Sequence, residues 1–255
     1  MRHSPLIRTG RPVPLVAVAH GSRDPRSALT VARLLAAVRR RRPGLPVLAS
    51  YLDHAPPSPD RVLRGLQEDA AVVLPLLLTA AYHSKIDIPG VLAGVRTARP
   101  RLHMRLAGTL GPHPLLIAAL ERRLAEAGVP IGDPDTAVVL VAAGSSDPAA
   151  NATVAGLAHG WRAAGWWNVV PAFASAARPL PADAVASLLA AGAPRVAVAS
   201  YFLAPGHFAD KVRAESLAAG AAVVSDVLGD APELAEVVLH RYDECLAGAG
   251  EAAAV

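Results

Sequence analysis

The chain has 255 residues, enough for one large domain or two of about 125 residues each, and its 53% apolar content allows a sizeable core even though much of it is alanine and only 4% of the chain is aromatic. The formal net charge of +4 is spread thinly, and a basic stripe interleaved with aromatics, as nucleic-acid binding would require, is absent. The single cysteine, Cys245, excludes an internal disulfide, an iron–sulfur cluster and a four-cysteine zinc site.

In chain order, Pro14–Ala19 is a short apolar β-type run, and a helical pattern extends from about Pro25 to Arg40. Its apolar positions Val31, Leu34, Leu35 and Val38 are followed by Arg39, Arg40, Arg41 and Arg42, which reads as a solvated helix C-terminus where cations suit the dipole. A strand over Pro46–Tyr51 and a helix over about Ser58–Glu68 come next. The run Ala71–Leu78 is continuously apolar, as expected of a strand buried on both faces. A helix near Ile88–Thr97, a strand near Leu102–Ala107 and a helix over Pro114–Ala127 complete this half. Such alternation predicts a parallel sheet with right-handed crossovers.

The plan then repeats. Val16–Pro25, with His20-Gly21-Ser22-Arg23-Asp24-Pro25 at its end, returns as Val139–Pro148, with Ala143-Gly144-Ser145-Ser146-Asp147-Pro148, 123 residues on. Asp53 matches Ser175, and His83 matches His207, at nearly the same spacing. Leu110-Gly111 with Pro114 matches Leu228-Gly229 with Pro232. The expectation is two tandem flavodoxin-like α/β domains related by internal duplication: residues 1–127 and 136–255, joined by a Gly- and Pro-rich linker near Gly128–Asp135.

The duplication provides an internal comparison: features kept in both halves serve the fold, and features lost from one half point to function. Both halves keep Gly-Ser-x-Asp-Pro after the first strand. Glycine permits the sharp turn, and Ser, Asp and Pro suit the start of the next helix. Ser22 lacks the Gly-x-Ser-x-Gly setting of a nucleophile. His20 differs: it stands at the carboxyl end of a strand, where open α/β sheets bind ligands, and its counterpart is Ala143. Asp53 ends the next strand and His83 follows the third, giving a His/Asp/His set that can bind metals and accept protons near neutral pH. Among the other histidines, strand alternation points His54 away from Asp53; His113 heads a helix; His3, His103, His159 and His240 fit tail, surface or core positions.

Ala19-His20-Gly-Ser-Arg23, Tyr51-Leu-Asp53-x-Ala55-x-Pro57-Ser58 and Leu76-Leu-Leu-Thr-Ala-Ala-Tyr-His83-x-x-x-Asp87-Ile-Pro89 resemble the class II chelatases, the sirohydrochlorin cobaltochelatases and ferrochelatases, in their two-domain long form. The resemblance covers nearly the whole chain. It implies two chelatase-like domains facing each other across a cleft, with His20 and His83 as metal ligands and catalytic groups. Asp53 stands where the family often has Glu, and Tyr82 where it often has Gly before the second histidine. The implied reaction is insertion of a divalent metal, Fe2+ favoured and Co2+ the alternative, into sirohydrochlorin, with the metal as substrate and no tightly bound cofactor. Arg23, Lys85, His207 and Lys211 are candidates for the substrate carboxylates. A non-catalytic metal or tetrapyrrole carrier is the alternative of another class; a flavodoxin-like regulatory pair, a third reading, would show no metal dependence.

The single thiol suits a reducing cytosol, Met1–Pro14 lacks a signal peptide's apolar core, and the longest apolar run, Ala70–Tyr82, is too short to span a bilayer. The expectation is a cytoplasmic protein, monomer or homodimer, with neither membrane nor nucleic acid as partner.

Overall fold

The computed structural model describes residues 12–80 and 86–251. The predicted alternation is present twice. In the first half, β1 (Leu15–Ala19), α1 (Pro25–Arg41), β2 (Val47–Tyr51), α2 (Pro59–Gly65), β3 (Ala70–Pro75), α3 (Ile88–Ala98), β4 (His103–Leu106) and α4 (Pro114–Glu126) follow one another. The second half runs β5 (Thr136–Ala142), α5 (Pro148–Trp161), β6 (Asn168–Phe173), α6 (Pro181–Ala190), β7 (Arg195–Ser200), α7 (His207–Ala218), β8 (Val223–Val224) and α8 (Pro232–Glu251). The strands form two four-stranded sheets, ordered β2-β1-β3-β4 and β6-β5-β7-β8, with every pairing parallel. Two parallel sheets flanked by helices, in one strand order used twice, are the expected fold class.

The central strands are buried throughout their length. Leu15–Ala19 and Thr136–Ala142 have no position outside the buried class, because helices cover both faces of each sheet. On one face of the first sheet, Val16, Val18, Ala71 and Val73 pack with Leu63, Ile88, Leu92 and Val95 of α2 and α3. The corresponding layer of the second sheet joins Val139, Val141, Val196 and Val198 to Val185, Leu188 and Val212 of α6 and α7.

Two elements are shorter than their sequence patterns. α2 ends at Gly65, where Leu66 turns extended (φ −62°, ψ 143°). β3 ends at Pro75, although the apolar run goes on, since proline has no N–H for the ladder.

Two compact units make up the chain. The first contains residues 12–77, 86–110 and 235–251 among those described; the second contains 78–80 and 111–234. The units thus exchange helices relative to the sequence repeat: α4 belongs to the second and most of α8 to the first. In the second, α4 packs on β7, the Trp161 indole N–H donates to Glu121 at 2.9 Å, and Arg122 grips Glu233. In the first, the Tyr242 hydroxyl donates to the Val13 carbonyl at 2.7 Å, Arg241 donates to the Thr109 carbonyl at 2.8 Å, and Arg42 pairs with Asp243. Arg41 lies 3.6 Å from Glu236 and Arg39 donates to the Val47 carbonyl. Most of the arginine run that ends α1 is therefore tied down, whereas the sequence pattern suggested a solvated end. Among the described residues, no helix is long and apolar enough to cross a membrane.

Candidate functional site

His20 leaves the end of β1 and is exposed. The β1–β2 ladder runs one step past both strands: the Leu52 N–H donates to the Ala19 carbonyl at 3.0 Å, and the Asp53 N–H to the His20 carbonyl at 2.9 Å. His20 and Asp53 are thereby fixed on neighbouring strand ends, as the sequence suggested.

The chain then makes a tight reversal. The Ala55 N–H donates to the Asp53 carbonyl at 2.7 Å, with His54 at the apex at φ +61°. An i to i+2 hydrogen bond around a residue of positive φ is the rare, strained hand of γ-turn. The second half contains the same turn: Ala177 N–H to Ser175 carbonyl at 2.7 Å, with Ala176 at φ +57°.

The glycine of each Gly-Ser pair is explained by this turn. Gly21 has φ +93°, and a Cβ there would lie 1.8 Å from the Asp53 carbonyl oxygen; at Gly144, φ +84°, it would lie 1.9 Å from that of Ser175. The rest of each motif starts a helix. The Ser22 hydroxyl accepts from the Asp24 N–H at 3.0 Å and the Asp24 carboxylate from the Arg26 N–H at 2.9 Å; Ser145 and Asp147 repeat both bonds at 3.0 and 2.9 Å. The Arg26 side chain and N–H hold the Asp24 carboxyl below its usual range. The shared residues are structural, as the comparison of halves indicated.

His54 overturns one expectation. Strand alternation had turned it away from Asp53, but the γ-turn reverses the chain immediately after Tyr51-Leu52-Asp53. The His54 Nε2 lies 3.3 Å from Asp53 Oδ2, and the His54 N–H donates to Oδ1 at 2.8 Å. Its ring stands edge-on to His20, centroids 6.4 Å apart and planes at 66°. The signal was present in the sequence, since His54 aligns with Ala176 at the spacing that aligns Asp53 with Ser175. Thus His20, Asp53 and His54 are replaced together by Ala143, Ser175 and Ala176.

The remaining candidates are dispersed. His83 and Lys85 lie outside the described residues. Arg23 is exposed beside His20. In the second unit, His207 is the first residue of α7, exposed and beside Phe208 (centroids 5.7 Å); Lys211 lies 3.8 Å from Glu215, and Arg213 donates to Asp226 at 2.8 Å. His113 caps α4, its Nδ1 accepting the Leu115 N–H at 3.2 Å, in line with its expected place at a helix start. Among the described residues, no three His, Cys, Asp or Glu side chains form a ready-made metal ligand set.

A sequence model described as CbiX matches residues 14–127 and again 137–245. The sirohydrochlorin cobaltochelatase of Priestia megaterium is 32% identical over 148 residues, 57% of this chain and 48% of the relative, so the chain spans about half the length of that protein. The sirohydrochlorin ferrochelatase of Priestia megaterium is 26% identical over 208 residues, 78% of each chain. In fold, the chain is similar to SirB from Bacillus subtilis with Fe3+ (TM-score 0.81, 23% identity, 93% of this chain and 97% of the other). It is also similar to SirB from Bacillus subtilis subspecies spizizenii in complex with cobalt (TM-score 0.74, 21% identity, 91% and 94%). With the family pattern matched once in each half of a duplicated α/β fold, the chain belongs to the CbiX family.

Proposed function

We propose that this protein is a sirohydrochlorin chelatase, a lyase-class enzyme of the cytoplasm that inserts a divalent metal into the tetrapyrrole. Residues 1–127 form the copy that carries the reaction, and 136–255 the degenerate copy. The observation that carries this reading is the placement of His20 and Asp53 on adjacent strand ends in the first half, their loss together from the second, and the family to which the chain belongs.

Insertion exchanges one M2+ for two pyrrole N–H protons. Four metal–nitrogen bonds form, two N–H bonds break, and both protons leave with a base. A protein serving this exchange must hold the ion weakly enough to release it. Imidazole and carboxylate meet that condition for iron and cobalt alike, whereas thiolate would hold too tightly. In this proposal His20 and His83 present the ion, and these or Asp53 take the protons. Arg23, Lys85, His207 and Lys211 serve the substrate's carboxylates, and a net positive chain helps draw in a polyanion.

The test is insertion of Fe2+ into sirohydrochlorin. His20→Ala and His83→Ala should each abolish it with the circular dichroism spectrum unchanged; full activity in both would overturn the proposal. A rate no faster than the spontaneous one would mark a carrier instead. Iron is the favoured metal because the ferrochelatase relative matches over 78% of both chains; the cobalt reading rests on the higher identity of the cobaltochelatase over a shorter stretch. Competition between equal Fe2+ and Co2+ under anaerobic conditions separates the two.

A further inference from the structure

We infer that His54 is a metal-holding residue of this site, pairing with His20 on the incoming divalent ion while Asp53 orients it from behind. The inference rests on the chelatase reading and deepens it, since it adds a side chain to those that meet the ion.

Three observations lead there. The first is the Asp53–His54 contact. One carboxylate oxygen faces His54 Nε2 at 3.3 Å and the other accepts the His54 N–H at 2.8 Å, so the carboxylate engages its neighbour twice. A histidine that binds metal through one nitrogen characteristically donates its other ring N–H to a carboxylate, which fixes the tautomer and raises ligand basicity. An Nε2–H engaged by Asp53 would leave the lone pair for a metal on Nδ1.

The second is the relation to His20. Two imidazoles on one ion, each about 2.1 Å from it, have ring centroids roughly 5 Å apart at a tetrahedral angle. The observed 6.4 Å is wider, so the two exposed side chains must close by about 1 Å to share an ion.

The third is the second half of the chain. Ala176 holds the same turn, φ +57° against +61°, so the fold needs a residue that tolerates the left-handed conformation and does not need histidine. An imidazole in a strained position that alanine fills elsewhere is present for its chemistry. The shorter Asp53 thereby acts through an imidazole that extends its reach.

The experiment is Co2+ titration of the full-length chain without tetrapyrrole, by calorimetry and by the visible spectrum of bound Co2+. The variants are His20→Ala, His54→Ala, Asp53→Ala and the Asp53→Ala/His54→Ala double. Ala176 indicates that His54→Ala leaves the backbone intact, and circular dichroism checks it. His54→Ala is expected to weaken Co2+ binding at least ~10-fold, the size of effect known for disrupted ligand orientation. The double variant should bind no more weakly than His54→Ala, because Asp53 acts through His54. Wild-type affinity and spectrum in His54→Ala, with binding lost in His20→Ala, would overturn the inference and leave the chelatase reading standing. So would additive losses in the double variant, which make Asp53 a ligand in its own right. If His20→Ala also binds as wild type does, or the wild type binds no Co2+, the metal seat of the proposed function falls with it.

Discussion

Gly21 lacks a side chain where one would meet the Asp53 carbonyl, in the turn that carries His54. Placing a Cβ on Gly21 brings it to 1.8 Å from a backbone oxygen, and backbone cannot step aside as a flexible side chain can. Gly21→Ala and Gly144→Ala should therefore each cost more than ~2 kcal/mol, read from chemical denaturation, since clash and a disfavoured φ act together. The opposite sign is expected at Ala176, an exposed non-glycine residue at φ +57°. Ala176→Gly relieves a left-handed penalty of about 1–2 kcal/mol and loses part of it to the freer unfolded chain, for a small net rise in Tm. Two of the three candidate residues at the described strand ends, His20 and Asp53, were legible in the sequence because strand ends are marked by where apolar runs stop. Alternation misdirected His54, because it assumes the strand continues and a single positive φ reverses everything after it; only the pairing with Ala176 in the repeat marked it.

Element boundaries were largely legible, since each central strand is a continuous apolar run and every helix but α7 carries a proline in its first two positions, after Asp, Ser, His or another start residue. The packing partner of each helix was not. An amphipathic face states that a helix is covered, without naming the sheet, and α4 and α8 occupy the same place in the two halves. Specific polar contacts name the partner of α8 in the first unit. Arg42 donates to both Asp243 oxygens, at 2.5 and 2.8 Å, and its guanidinium lies 5.7 Å from the Tyr242 ring centroid. The Arg42 hydrogen bond holds the Asp243 carboxyl below its usual range. A carboxylate with a depressed native pKa contributes stability above its ordinary value, and that contribution is lost as pH falls through the native pKa. Both partners are about a third or more exposed, so Asp243→Asn should cost at most about 1 kcal/mol near neutrality. The gap between variant and parent should close as urea melts are repeated below the usual carboxylate range.

At the scale of the molecule, most of α8 belongs to the first unit. Val237, Val238 and Tyr242 are at most 3% exposed and Leu239 is 8% exposed; burying each contributes roughly 1.5–3 kcal/mol, against a typical whole-domain stability of about 5–15 kcal/mol. A chain ended at Leu234 should therefore leave residues 12–110 open to rapid limited proteolysis, whereas the full chain resists. The repeated γ-turn has a consequence for building as well as for breaking. The second half retains the glycine, the carbonyl seat and the left-handed apex, and lacks the His20, Asp53 and His54 side chains. It is a vacant socket whose wiring was left in the wall. Ala143→His, Ser175→Asp and Ala176→His together should fit it with fixtures, and equilibrium dialysis should then find one more Co2+ bound per chain than before.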